Sequence, residues 1–289
     1  MSVGLIVIGQ QFIPFMKWVI MCRKTNMDLK IKEILFLSSN ILTGGIITPA
    51  HTGEFVTALF VKKTRGKVSS IVVFNRFIEG SVTLLAAIFI FRVLFRNILS
   101  SRSWIFIGAA LGMILFILYG FATKERFGIF ILSKGKKILI ALKKFKLLQV
   151  ILNFEEMIAR EVGYFYQSMK ILSSWQTVLA LIFFTALTWV IMTFANRNLF
   201  LSVGMVVPFK MIIAVMVLSA IASFISPTPG GIGLGDIPAV YFLLSNGYHE
   251  NVGAYLILGR VATYAVAFGW YFFSIEIYNK SAFMKTNLF

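Results

Sequence analysis

The chain has 289 residues, of which 58% are hydrophobic and only 13% are charged, whereas soluble domains carry about 25% charged residues. This composition excludes a water-soluble globular protein. The net charge of +17 comes from basic residues that lie between long apolar runs, which favours anionic lipid over nucleic acid as the partner. A single cysteine, Cys22, excludes an internal disulfide framework.

Five apolar segments are long enough to cross a membrane, since a spanning helix needs about 20 mostly apolar residues. They are residues 3–22, 68–91, 104–121, 175–196 and 252–278. The first lacks the basic start of a signal peptide, so we interpret it as a retained span. The sequence therefore predicts an all-α membrane protein, a polytopic helical bundle that forms one integral membrane domain over residues 1–289.

Two further apolar regions are interrupted by clusters of proline and glycine. Residues 34–61 are broken at TGGIITPAHTGE, and residues 208–247 are broken at SPTPGGIGLGD. Such breaks at membrane depth occur where protein or a watery cavity satisfies the freed backbone groups. Each region is predicted to be a re-entrant hairpin of two half-helices, with its break at Pro49, Gly53, Pro227, Pro229, Gly230, Gly231 and Gly233.

The distribution of Lys and Arg predicts the orientation in the membrane. Basic residues concentrate in residues 23–32, 62–67 and 124–170 and in the C-terminal tail, so we expect these parts in the cytoplasm, and the chain in the plasma membrane. The first hairpin then enters from the cytoplasmic side and the second from the outer side.

With that orientation, each half of the chain reads as a span, a broken hairpin and a span, in opposite directions. Repeat 1 covers about residues 3–91 and repeat 2 about residues 175–278. Residues 104–174 link the repeats with a span and a basic interfacial segment. Inverted repeats with discontinuous helices are a recurrent plan of transporters, whose binding site lies near the midplane of the membrane.

Each half also carries an acidic residue and an arginine at matching depth. Glu54 and Arg76 lie 8 and 9 residues from the two ends of the basic turn at 62–67, which is about 12 to 14 Å along a helix. Asp236 and Arg260 lie 12 residues either side of position 248. The spacing predicts two ion pairs, and Glu79 shares the helix face of Arg76.

Intramembrane charges usually mark a pathway or a paired site, and the guanidinium group suits bidentate phosphate binding. We therefore predict a lipid headgroup site formed by Arg76, Arg260, Glu54, Asp236, Glu79 and His51. Two structural alternatives stay open. The ion pairs could only hold the hairpins in place, and His51 could only hydrogen-bond the hairpin backbone rather than bind a headgroup or exchange a proton.

A basic stretch in the linking segment alternates charged with apolar residues at helical spacing. It predicts an interfacial helix on anionic headgroups, and its alternative is an ordinary cytoplasmic loop. The contacts with the membrane surface would come from Lys134, Lys136, Lys137, Lys143, Lys144 and Lys146.

The sequences PAHTGE, NRFIEG and SPTPGGIGLGD resemble the transmembrane, flippase-like domain of lysylphosphatidylglycerol synthases, a family with many stand-alone members. The family's Pro-x-x-x-Gly-Glu falls on Pro49, Gly53 and Glu54, and its Glu-Arg pair on Asn75 and Arg76, with Glu79 following. Its Pro-Gly-Gly-x-Gly falls on Pro229, Gly230, Gly231 and Gly233, followed by Asp236 where the family usually has Glu. The resemblance implies a domain that translocates a lipid or a lipid-linked sugar, and it does not name the lipid. Together with the arginines, it predicts that the transported molecule is an anionic phospholipid or a lipid-linked sugar.

No G-x-S-x-G, H-E-x-x-H or P-loop pattern occurs in the sequence. The sequence favours a transporter without a cofactor or a metal site. The alternatives are a membrane-embedded transferase acting on a polyprenyl-phosphate lipid and an accessory subunit of a lipid-modifying system.

Overall fold

The computed structural model describes residues 2–48, 51–61, 65–94 and 148–282. These residues form helices joined by short connections, which confirms the predicted all-α fold class. The break residue Pro49, the predicted span at 104–121 and the six lysines of the basic stretch lie outside the described residues.

Four of the predicted spans are long apolar helices in the structure: Gly4–Lys24, Arg65–Ile90, Trp175–Ser202 and Val252–Asn279. The chain is therefore an integral membrane protein. The first span consists of α1 (Ser2–Val7) and α2 (Ile13–Lys24), joined without a break by a π-helical turn over Ile8–Phe12. The π-turn changes the rotation of the helix, and such turns often lie at functional sites.

Each broken region is a pair of helices that pack on each other. In the first hairpin α3 (Ile31–Ile47) is followed by α4 (Thr52–Phe60). A long helix, α5 (Arg65–Leu94), comes next and packs on α4. Because α3 has 17 residues and is therefore about 25 Å long, it is too short to cross a hydrocarbon core of about 30 Å by itself.

The helices of the second half have nearly the same lengths as those of the first. After α6 (Leu148–Leu172) and α7 (Trp175–Ser202), the second hairpin consists of α8 (Phe209–Ile225) and α9 (Ile237–Ser245), and α10 (Val252–Ala282) ends the described chain. The hairpin helices have 17 and 9 residues in both halves. The following long helices have 30 and 31 residues.

One detail of the first break differs from the expectation. The sequence pattern predicts that Gly44 and Gly45 belong to the interruption, but α3 continues through both and ends at Ile47. The glycines allow α4 to approach α3 closely, because a Cβ atom on Gly45 would collide with the Glu54 side chain and one on Gly53 would collide with the Gly44 carbonyl. The helix before the break ends at Ile47, and the next helix begins at Thr52.

Two clusters of buried apolar side chains hold the helices of the two halves together. The larger cluster joins α2, α3, α5 and α6 around residues such as Trp18, Leu37 and Phe74. The other joins α7 to α10 around Phe200, whose ring stacks on Tyr255 with 3.8 Å between ring centroids. The charged residues described next lie in and beside the cavity between these halves.

Candidate functional site

The first predicted ion pair is present, and it is part of a larger network. Arg76 on α5 donates Nε to Oε2 of Glu54 at 2.6 Å and also bonds Glu54 Oε1 through Nη2. Its Nη1 donates to Oε2 of Glu79 at 3.1 Å. One guanidinium therefore bridges two carboxylates, as its fork of donors permits.

Lys17 completes this network, and sequence reasoning did not assign it to the site. Its Nζ donates to Oε1 of Glu79 at 2.6 Å and lies 3.4 Å from the hydroxyl of Thr185, and the residue is only 2% exposed. A lysine within an apolar span was a usable signal, since such a charge is costly in a membrane. Its partner could not be inferred, because Glu79 lies on another helix 62 residues away.

Two further side chains surround the network. Asn75 donates to Oε1 of Glu79 at 2.9 Å. His51 has a left-handed backbone (φ 56°) at the start of α4, and its Nδ1 lies 3.4 Å from Nη2 of Arg76 and 3.8 Å from Oε1 of Glu54. With Lys17 and Arg76 against Glu54 and Glu79, two positive charges balance two negative ones when His51 is neutral.

The second predicted ion pair is also present. Arg260 on α10 donates Nη2 to Oδ1 of Asp236 at 2.6 Å and Nη1 to the carbonyl oxygen of Gly230 at 2.8 Å. The amide of Gly233 donates to the other Asp236 oxygen at 3.2 Å. Arg260 therefore holds the second break at two points, one on each side of its glycine turn.

The two breaks meet. The amide nitrogen of Gly230 lies 3.5 Å from the carbonyl oxygen of Thr48. Thr48 in turn spans the first break, because its hydroxyl donates to the Gly44 carbonyl at 2.7 Å and accepts the amide of Gly53 at 2.6 Å.

A cavity of about 400 Å³ joins the two sites. Six of its lining residues were predicted from the sequence: His51, Glu54, Arg76, Glu79, Gly230 and Arg260. The structure adds Lys17 and a set of hydrogen-bonding or aromatic side chains, namely Gln10, Gln11, Thr83, Thr185, Thr188, Trp189, Ser223, Thr263 and Tyr264. Asp236 lines a neighbouring cavity of about 350 Å³ that shares Gln10, Trp189 and Arg260 with the first.

The other predicted break residues that the structure describes do not line the cavity of about 400 Å³. Gly53 and Gly231 are buried, and Pro227, Pro229 and Gly233 are exposed in or beside the turns. Within the described part of the chain, no group of three or more His, Cys, Asp or Glu residues has the arrangement of a metal site.

The family profile described as the lysylphosphatidylglycerol synthase TM region matches residues 2–270. Comparison with curated proteins and with solved structures gives no match. The match covers both ion pairs and both breaks, and it associates this membrane protein with lipid metabolism or transport.

Proposed function

The chain belongs to the lysylphosphatidylglycerol synthase TM region family, and on this premise we propose that it is a flippase-like protein. It binds the headgroup of an anionic phospholipid or a lipid-linked sugar in the cavity between the hairpins and moves it across the bilayer. The observation that carries the proposal is that Arg76 and Arg260 line one cavity although each comes from a different half of the chain.

The chemistry of the lining suits a phosphorylated, hydroxyl-rich headgroup. Two guanidinium groups can bind phosphate with paired hydrogen bonds, and hydroxyl and amide side chains can bind glycerol or sugar oxygens. In the structure Glu54 and Asp236 accept hydrogen bonds from these two arginines. A phosphate would replace these carboxylates as the acceptor, so each half-buried arginine would keep an anionic partner when the headgroup binds.

The hairpins are proposed to be re-entrant and the halves to be an inverted repeat. The support is the matching helix lengths of 17 and 9 residues in the two hairpins and the excess of basic residues in the segments assigned to the cytoplasm. In such transporters the substrate lies where discontinuous helices meet, and in this protein the breaks meet at Thr48 and Gly230.

The test uses the full chain reconstituted in vesicles that contain a fluorescent anionic phospholipid, with a membrane-impermeant quencher added outside. We expect the wild-type protein to equilibrate the lipid between leaflets and Arg76→Ala and Arg260→Ala to abolish this activity. If both variants translocate lipid at the wild-type rate while their thermal stability falls, the arginines only hold the hairpins and the proposal is wrong.

The same vesicles address the transferase alternative. Mass spectrometry of the lipids after incubation with a polyprenyl-phosphate lipid and sugar donors would show a new glycolipid if the chain were a transferase. We expect the added lipid to be recovered chemically unchanged.

A further inference from the structure

An apolar groove lies between α9 and α10 in the second half of the chain. Its volume is about 620 Å³. The walls come from α9, α10 and the turn before α9, and the apolar side chains are Ile232, Ile237, Val240, Tyr241, Leu244, Leu256, Ile257 and Val261. Several are widely open to the surroundings, with Tyr241 at 72% and Ile257 at 66% exposure.

The groove exists because α9 packs on α8, while α10 packs on α3, α1 and α7. The first hairpin has a different arrangement, since α4 packs on both α3 and α5. The two halves of the chain therefore differ at this point, although their helix lengths match.

Among the residues that the structure describes, the charged ones that line the groove are Asp236 and Arg260. Their side chains are 14% and 28% exposed. Arg260 also lines the cavity that contains Arg76. The groove is thus apolar along its walls and charged where it adjoins the polar cavity, which matches the polarity of a lipid with an anionic headgroup.

We infer that this groove binds a hydrocarbon chain of the transported lipid and is the lateral opening through which its headgroup reaches the cavity. This inference rests on the proposed function. The apolar walls of the groove favour contact with a hydrocarbon chain over contact with water. Arg260 is the cationic side chain that lines the groove, so it can bind the phosphate of a lipid whose chain lies there. A headgroup at Arg260 would accept the hydrogen bond that Asp236 now accepts from Nη2, with its chain lying along α9 and α10.

The first experiment uses the full chain in zwitterionic vesicles with a small fraction of an anionic phospholipid that carries a photoactivatable diazirine in one acyl chain. After irradiation, mass spectrometry locates the labelled residues. We expect Val240, Leu244 and Ile257 to be labelled in excess over Phe183 and Val190 on α7, which are also exposed apolar residues. Arg260→Ala should lower labelling of the groove about tenfold and leave labelling of α7 unchanged.

Equal labelling of α7 and the groove, or groove labelling that Arg260→Ala does not change, would show only the surrounding bilayer lipid and would overturn the inference. The inference also fails if the Ile257→Cys variant forms a cross-link between two copies of the chain in the vesicles and lipid labelling of the groove is absent. The groove would then be a contact between copies.

The second experiment separates the groove from the headgroup site. Ile257→Trp fills the groove, whereas Leu258→Trp adds the same bulk to the neighbouring exposed position, which does not line it. We expect translocation to slow about tenfold in Ile257→Trp and to stay at the wild-type rate in Leu258→Trp. If Arg76→Ala abolishes translocation and Ile257→Trp does not slow it, the groove inference fails and the proposed function stands. If neither the wild type nor any variant translocates lipid, but the groove is still labelled and Arg260→Ala still lowers that labelling, the proposed function fails. The binding of a lipid hydrocarbon chain in the groove is then retained.

Discussion

The amide nitrogen of Gly230 lies 3.5 Å from the carbonyl oxygen of Thr48, so the break of one hairpin contacts the break of the other. Arg260 holds the same glycine through its carbonyl oxygen at 2.8 Å. A change in the position of Arg260 can therefore reach the first hairpin directly through the backbone of Gly230. Any headgroup that draws Arg260 away from the second break also acts on this contact.

The first prediction concerns Gly230, which has a positive φ of 58° and no free space. A Cβ atom there would lie 2.5 Å from the Tyr264 hydroxyl and 2.8 Å from the Ile46 carbonyl oxygen. We expect Gly230→Ala to separate the hairpins, to lower thermal stability and to reduce translocation strongly.

Gly233→Ala is the matched control for that variant. Gly233 also has a positive φ, of 77°, but nothing lies within 4 Å of its added Cβ atom. Both alanines bear the left-handed backbone cost of about 1–2 kcal/mol, so the difference between the two melting temperatures measures the contact between the breaks. Equal melting temperatures and equal translocation rates would contradict the prediction.

The second prediction concerns Lys17. Lys17→Met keeps most of the side chain's length but removes its charge. Among the described residues, Glu79 then keeps Arg76 as its cationic partner and the Asn75 amide as a neutral donor. Removing one partner of a fully buried ion pair costs about 3–5 kcal/mol, and the cost here should lie at or below the lower end of that range because Glu79 is 23% exposed and keeps Arg76. We expect a large fall in the melting temperature of the detergent-solubilised protein.

A double variant distinguishes lost charge from lost packing in this experiment. Lys17→Met combined with Glu79→Gln has no uncompensated carboxylate at position 79, so it should recover a substantial part of the stability. If the double variant is as unstable as the sum of the single variants, the pair is not coupled.

The third prediction tests the close packing within the first hairpin. Gly45→Ala places a methyl group against the Glu54 carboxylate, and overpacking of this kind costs about 1–3 kcal/mol. Gly80→Ala on α5 meets nothing within 4 Å and should be neutral or stabilising by up to about 1 kcal/mol, since alanine favours a helix. Melting temperatures of the two variants measure the difference, and a Gly45→Ala protein as stable as Gly80→Ala would contradict the packing described for α3 and α4.

The sequence allowed both ion pairs to be predicted because each pair lies on the two arms that flank one turn. Counting residues from the turn at 62–67 gives the depth of Glu54 and Arg76 in the membrane. Counting from position 248 gives the depth of Asp236 and Arg260. The Lys17–Glu79 pair connects helices that are not adjacent in sequence, so its formation depends on helix rotation and packing, which counting does not provide. Gly44 and Gly45 were misassigned for a related reason, since glycine marks either a break or a close helix contact and only the packing of α4 distinguishes the two.

The last prediction asks whether the arginines act by charge alone. Arg76 donates from three nitrogens toward Glu54 and Glu79, and Arg260 donates from two nitrogens to Asp236 and the Gly230 carbonyl. A lysine keeps the positive charge but lacks the planar fork, so it cannot reproduce both sets of bonds. We expect Arg76→Lys and Arg260→Lys to translocate anionic phospholipid about tenfold more slowly than the wild type, or worse, because a charged hydrogen bond is worth about 1.5–3 kcal/mol. Vesicle assays at two salt concentrations provide the control. If the arginines act by charge alone, both lysine variants should stay active, and salt should slow translocation by the same factor in the wild type, Arg76→Lys and Arg260→Lys. Wild-type rates in both lysine variants would show that bidentate binding is not required.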